Sequence, residues 1–189
     1  MAAESPHTDV EGAGPRAPRT DKRIDSDELL IRPIRDVDAE AMGRVHAKVW
    51  HETYDGLISS ATLENVSPRR LAELWTHYTS QSDEIRHAAA LVDGEIVGFV
   101  AAGPARDADA PAPRELYFVY LLDSWHRKGI GRALFEAVVD DGEPLYLWLA
   151  EDYPGARTFY EKRGFRLDGA RRDEQFLGET LTEVRYVRP

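Results

Sequence analysis

The stretch from Glu115 to Ala150 constrains the fold more than any other part of the chain. "ELYFVYLL" is aromatic and aliphatic without a polar alternation, the pattern of a central strand buried on both faces. It runs through "WHRKGIG" into "GRALFEAVVDD", where Leu134, Phe135 and Val138 recur at helical spacing, and then into a second apolar strand, "PLYLWLA". Two strands joined through a helix lie parallel, whereas neighbours joined by a tight turn lie antiparallel. The core is therefore predicted to be a parallel strand-helix-strand unit in a mixed α/β domain.

The remaining elements arrange themselves around that unit. The chain has 189 residues, enough for one domain with a proper core. Residues 1–27 carry almost no large apolar side chains and are read as a disordered tail, leaving residues 28–189 as the domain. "ELLIRPIR" predicts a first strand, with Asp36 and Asp38 as caps for a helix through Met42, Val45, Val49 and Trp50. "HETYDGLISS" reads as a loop, and Ser67 with Pro68 opens a second helix with a stripe at Leu71, Leu74, Trp75 and Tyr78. "HAAALV" and "EIVGFVAAG" flank Asp93-Gly94, a strong hairpin signal. "PARDADAPAPR" predicts a mobile surface loop, "PGARTFYEKR" a helix stopped at Gly164, and "EVRYVR" a last strand among one or two short ones.

Bulk properties narrow the partners. Lys plus Arg number 24 against 34 Asp plus Glu, a net charge of −10, which argues against general binding to nucleic acid or anionic membrane and favours cationic or neutral substrates. The absence of cysteine excludes disulfides, thiolate metal sites and a cysteine nucleophile. No apolar run approaches the roughly 18 residues of a membrane span, and the N-terminus lacks a signal-peptide core, so a cytoplasmic protein is the expectation. The six His show no metal-ligand spacing, and no metal is expected.

The glycine turn is the first candidate for chemistry. A strand that hands over to a helix through glycines leaves helix N–H groups unpaired and aimed outward, a ready site for phosphate. Gly129 and Gly131 could equally serve only a tight turn. Arg127 and Lys128 supply cations. A Walker A loop is excluded because Gly131 is followed by Arg132 and Ala133. A dinucleotide fingerprint would be served by Glu151 and Asp152 after the next strand, but position 134 is Leu and too little chain follows Phe165 to complete a doubly wound sheet.

"HRKGIG" resembles the coenzyme loop of the GCN5-related N-acetyltransferase (GNAT) family, with both glycines matched and His126 where Gln or Arg is usual. "WLAEDYPGARTFYEKRGF" is similar to that family's second block through Ala156, Phe159, Tyr160, Gly164 and Phe165, with Tyr153 where Asn is common. The resemblance spans about Leu29 to Arg188 and implies a centrally splayed β-sheet flanked by helices, with acetyl-coenzyme A as cosubstrate. It places the pyrophosphate on the loop from His126 through Arg127, Lys128, Gly129, Ile130 and Gly131 to Arg132. The pantetheine arm would lie along the main chain of Val119, Tyr120 and Leu121, with Tyr153, Ala156 and Tyr160 on its other side. A His in the loop donates to phosphate as a cation only when protonated, so coenzyme affinity is expected to weaken as pH rises through its titration.

Transfer to an amine needs a neutral amine, a polarised thioester and a proton for the departing thiolate. The resemblance gives the proton to Tyr160; the competing reading is a core aromatic beside Phe159. Glu115 is the first choice for a base, on the same face as Tyr117, Val119 and Leu121 by two-residue alternation. A solvated strand end or an ion pair with Arg114 competes with that role, and an amine that arrives neutral needs no base. His46, in mid-helix, reads as a partly buried polar residue. Trp50, Tyr54 and Tyr117 are assigned to acceptor binding, an aromatic wall suited to a cationic amine; Trp50 and Trp75 equally fit a core, and Trp148 reads as core. The function expected is N-acetylation of a small-molecule or peptide primary amine by direct attack in a ternary complex. The alternative is a catalytically inactive coenzyme-binding regulatory domain. A homodimer is compatible with the family.

Overall fold

A computed structural model describes residues 29–79 and 84–189. The tail expected over residues 1–27 lies outside the described residues, and so does the side chain of Tyr78. The elements in chain order are β1 (Leu30–Arg32), α1 (Ala39–Tyr54), α2 (Ser60–Glu64), α3 (Pro68–Thr79), β2 (Arg86–Val92), β3 (Glu95–Pro104), β4 (Arg114–Leu121), α4 (Ile130–Val138), β5 (Leu145–Ala150), α5 (Pro154–Glu161), β6 (Arg166–Phe176) and β7 (Glu179–Arg188). They form one seven-stranded sheet in the order β1-β2-β3-β4-β5-β7-β6. Among the described strands only β4 and β5 pair in parallel, joined through α4.

The sheet carries a core on each face. On one, Ile130, Leu134, Phe135 and Val138 of α4 and Tyr160 of α5 pack on Leu116, Leu145, Leu147 and Leu149. On the other, Met42 of α1 and Trp75 of α3 pack on Ala89, Leu91 and Phe99, with Phe118 and Tyr120 against them. The Asp93-Gly94 hairpin forms with both residues at positive φ, the twist-matched turn for a two-residue loop.

Several sequence expectations change. Asp38 does not cap α1 through its side chain; its carboxylate takes two bonds from Arg32, at 2.7 and 2.8 Å, and one from the Arg35 N–H. α1 continues to Tyr54, and at the last residue of the expected loop a further helix begins, α2, capped by the Ser59 hydroxyl. The short closing strands are instead an 11-residue and a 10-residue strand in one hairpin. β6 is an edge strand whose side chains are largely exposed, so it carries no apolar alternation to read.

The loop between β3 and β4 is tied down rather than mobile. Arg106 binds Glu115, and Asp107 accepts from the Trp148 indole N–H at 2.8 Å and faces Arg172 and Arg185. The N–H groups of Arg106 and Asp107 both donate to the Tyr146 hydroxyl. Trp148 is correspondingly not core: it is partly exposed, with the Arg172 guanidinium 4.3 Å above its ring.

α1 and α3 cross closely at Gly43. A methyl group there would lie 2.7 Å from Ala72 N and 2.9 Å from Ala72 Cβ, and closer still to Pro68 O. Gly43→Ala, which in an open helix would stabilise by about 0.5–1 kcal/mol, is expected here to destabilise by about 1–3 kcal/mol through overpacking. A lowered urea midpoint checks this.

Candidate active site

The ladder between β4 and β5 consists of Glu115 opposite Tyr146 among the described residues. β4 runs on to Leu121 and β5 to Ala150, so the two strands are joined at one end and part toward the other. A β-bulge accompanies the parting: Ala101 pairs with Phe118 and Ala102 with Leu116, leaving Tyr117 as the extra residue. The bulge overturns the expected alternation. Leu116, Val119 and Leu121 face the α4 core, while Phe118 and Tyr120 face the α1 side, so Glu115 does not share a face with Val119 and Leu121. The Tyr117 hydroxyl donates to Pro104 O at 2.9 Å, with Arg106 4.2 Å over its ring.

Glu115 is 1 % exposed and its carboxylate is saturated. Arg106 donates from Nη2 to Oε1 at 2.5 Å and from Nε to Oε2 at 2.9 Å, and the Tyr146 hydroxyl donates to Oε2 at 3.1 Å. The ion pair is with Arg106; Arg114 pairs with Glu143 at 3.0 Å instead. Both carboxylate oxygens are thus engaged within the protein, by Arg106 and Tyr146.

At the other end of β4 the chain turns through Asp123–Trp125 into the glycine loop. Arg127 and Gly129 both take left-handed φ, 60° and 83°, and the second begins α4. The first helical bond runs from Ala133 N to Gly129 O, which leaves the N–H groups of Ile130, Gly131 and Arg132 outside the ladder, with no side-chain cap on Gly129. The two glycines have different reasons. Gly129 needs its backbone conformation, whereas a Cβ on Gly131 would come 3.2 Å from the Phe159 ring of α5.

The loop's charges are arranged differently from expectation. The His126 Nε2 lies 2.8 Å from Leu121 O, which requires Nε2 to donate, and Nδ1 faces Asp123 Oδ1 at 3.6 Å. Both ring nitrogens thus shape the turn rather than point to a phosphate on the helix. Lys128 sits 4.2 Å over the Trp125 ring, and Arg132 pairs with Glu136 at 2.6 Å.

Four tyrosines gather about the gap. Tyr160 is 7 % exposed, its ring against Phe159 and Phe165, and burial raises its pKa above the usual phenol value. Tyr153, half-buried at the head of α5, is raised by the same cause. Tyr120 and Tyr54 share a hydroxyl-hydroxyl bond of 2.8 Å. Burial pushes Tyr54 up to about 12 and Tyr120 well above its ordinary value. Ala156 of α5 packs partly buried beside them.

Trp50 and Tyr54 meet Phe176, at the end of β6, with ring centroids 4.9 and 4.5 Å away. Phe176 and the Arg172–Glu183 pair, 2.8 Å, were not legible in the sequence because their hairpin register is fixed only by β7. Between the end of α1, α2 and the turn at Asp123 lies a cavity of about 470 Å³ lined by His51, Glu52, Asp55, Ser60, Leu63, Glu64 and Asp123. His46 is buried beside Trp50 and Tyr120, with ring centroids 4.5 and 5.7 Å away, its Nδ1 accepting from the Trp75 indole N–H at 3.2 Å.

A mixed sheet whose parallel central strands part, with an open helix N-terminus following the first of them, defines the acyl-coenzyme A N-acyltransferase fold. The sequence model of the acetyltransferase (GNAT) family matches residues 50–165, and the chain belongs to that family. The uncharacterized N-acetyltransferase YuaI of Bacillus subtilis (strain 168) is 27 % identical over 163 residues, covering 79 % of this chain and 92 % of that one. The uncharacterized N-acetyltransferase Rv2669 of Mycobacterium tuberculosis is 33 % identical over 119 residues, covering 60 % and 70 %. Among solved structures, the PaiA N-acetyltransferase of Thermoplasma acidophilum, in complex with coenzyme A, superposes with a TM-score of 0.62 at 20 % identity, covering 83 % of this chain and 98 % of that chain. Arabidopsis thaliana NAA60, in complex with a bisubstrate analogue, superposes at 0.57 and 19 % identity, covering 85 % and 98 %. These likenesses are of fold.

Burial lowers the His46 pKa from the ordinary 6.5 to about 4, so it folds neutral. Between those values the unfolded chain binds a proton that the folded chain does not, and stability is expected to fall as pH drops through that window. His46→Asn, which keeps an acceptor for Trp75, should flatten that part of the profile, measured by urea unfolding from pH 7 to 4.

Proposed function

We propose that this protein is an N-acetyltransferase that carries the acetyl group of acetyl-coenzyme A to a primary amine of a small molecule or peptide, by direct attack with both substrates bound. One observation carries the reading: the strand that parts from its parallel neighbour leads through the glycine loop into a helix whose first N–H groups lie outside the ladder. The gap accepts an extended arm in place of a missing strand, and the helix N-terminus accepts its phosphates.

In this reading the main chain of Val119, Tyr120 and Leu121 pairs with the pantetheine amides. The N–H groups of Arg127 to Arg132 face the pyrophosphate, with Arg127 and Lys128 adding positive charge, and Tyr153 and Ala156 flank the arm from α5. His126 holds the turn by its bond to Leu121 O. Acetyl-coenzyme A supplies the activated carbonyl. Tyr160 donates its phenolic proton to the departing sulfur, a task suited to a group that burial keeps protonated. Glu115 fixes the apex of the gap rather than taking a proton.

The acceptor enters past Trp50, Tyr54, Tyr117 and Phe176. An amine that is cationic in water suits the approach, because the neighbouring cavity presents Glu52, Asp55, Glu64 and Asp123, within a chain of net charge −10. The soluble, coenzyme-loaded reaction would take place without nucleic acid or membrane partners.

Calorimetric titration with coenzyme A is expected to show one-to-one binding, and thiol release over a panel of aminoglycosides, diamines, amino acids and peptides with free N-termini is expected to find an acceptor. Tyr160→Phe should keep coenzyme binding and lower kcat by about 100-fold or more. Binding without thiol release on any amine would identify a coenzyme sensor. No binding would dismiss the function altogether.

A further inference from the structure

Tyr160 accounts for the proton that sulfur gains, but not for the proton that nitrogen must lose. Glu115, the carboxylate nearest the apex on β4, is saturated by Arg106 and Tyr146. Glu183 is held by Arg172 at 2.8 Å. On the acceptor side of β4, with the buried His46 ring 5.7 Å from that of Tyr120, stands a pair of phenols joined to each other. Tyr120 projects from β4 toward α1, its ring among Phe99 and Phe118, and its hydroxyl meets that of Tyr54, the last residue of α1, at 2.8 Å.

Two features make this pair more than a packing contact. Phenylalanine would fill either ring site, and a hydroxyl is stabilising at a half-buried position only while it is hydrogen-bonded. The pair also reaches from β4, where it parts from β5, to the end of α1, and both tyrosines keep part of their surface exposed. A hydroxyl is both donor and acceptor, so two in series can pass a proton without either ionising.

We propose that Tyr120 and Tyr54 form a hydroxyl relay that removes the proton from the attacking amine. The proposal rests on the acetyltransferase reading, with Tyr160 at the departing sulfur. The nitrogen lone pair bonds to the carbonyl carbon, the carbon-sulfur bond breaks, and its electron pair leaves on sulfur, which takes the Tyr160 proton. The surplus proton on nitrogen passes to the Tyr120 oxygen as Tyr120 hands its own proton to Tyr54, and Tyr54 hands one to solvent. Solvent returns a proton to Tyr160. Nitrogen has lost one proton, sulfur has gained one, and all three tyrosines end as they began. Tyr120 touches the reacting nitrogen, and Tyr54 acts through it as a positioning residue.

The test is a double-substitution cycle on the full chain, with acetyl-coenzyme A and the panel amine of highest turnover. Tyr120→Phe is expected to lower kcat by about 100-fold and Tyr54→Phe by about tenfold, while the coenzyme dissociation constant from calorimetry stays within a factor of two. Tyr120→Phe with Tyr54→Phe together should be no slower than Tyr120→Phe alone, because a broken chain cannot be broken again. Unchanged coenzyme binding shows that the variants fold, and the loss in kcat rather than KM separates a proton path from simple packing. Either single variant at the wild-type rate, or a double variant slowed by the product of the two single effects, overturns the relay and leaves the acetyltransferase reading standing. A wild-type protein that binds no coenzyme, or releases no thiol with any amine, overturns that reading and the relay with it.

Discussion

The geometry of the centre depends on one buried ionic joint. Where Glu115 stands opposite Tyr146, the two parallel strands are welded by a carboxylate that takes bonds from Arg106 and from the Tyr146 hydroxyl, which in turn receives the N–H groups of Arg106 and Asp107. A fully buried carboxylate left alone would be costly, so its partners are as much a condition of the fold as a decoration of it. Beyond the joint no ladder draws β4 and β5 together, and the bulge at Tyr117 bends β4 away. One strong point of attachment followed by divergence is what opens the centre of the sheet. The loop before β4 is ordered by the same joint, and through Asp107 it reaches the ring of Trp148 and the guanidinium of Arg172 on the far side of the gap.

Each face of the divergence is served by its own core. The α4 side positions the glycine loop and Tyr160, and its tolerance is small: a Cβ on Gly131 would press on the Phe159 ring, which would have to shift. The α1 side positions Tyr54, Trp50 and the strand face that carries Tyr120. The substrates of the proposed reaction would therefore approach from opposite faces, each held by a different pair of helices, and would meet only where the sheet is open.

What the sequence revealed follows a physical division. Local signals were legible: Asp93-Gly94 as a two-residue turn, Pro68 at a helix start, the uninterrupted apolar run of β4, and the glycines ahead of α4. Each depends on a few adjacent residues. Features set by pairing across the sheet were not legible. The bulge at Tyr117 reverses the parity of β4, and nothing in "ELYFVYLL" marks which residue is extra. The loop "PARDADAPAPR" has the composition of a mobile segment, yet its acids and arginine find partners on β4, β5, β6 and β7 that no local reading can supply. Phe176 ends a polar edge strand and enters the acceptor side only because the hairpin register carries it there. His126 was expected on the phosphate, and its Nε2 meets the carbonyl of Leu121 at the end of its own strand, a contact across a turn that the sequence does not mark.

The strand order β5-β7-β6 bears on how such a chain is assembled as it is made. β7 lies between β5 and β6, so β6 has no place in the sheet until Glu179–Arg188 has emerged and docked along β5. Synthesis proceeds at about 5–20 residues per second, which leaves the half-built sheet with β5 as an uncovered, apolar edge while α5 and β6 are translated. Such an edge invites pairing with another nascent chain. The polar character of β6, with its run of Arg171, Arg172, Asp173 and Glu174, then has a role beyond solvation: a strand that emerges before the neighbour it pairs with is kept by its charges from adding to the edge of another chain.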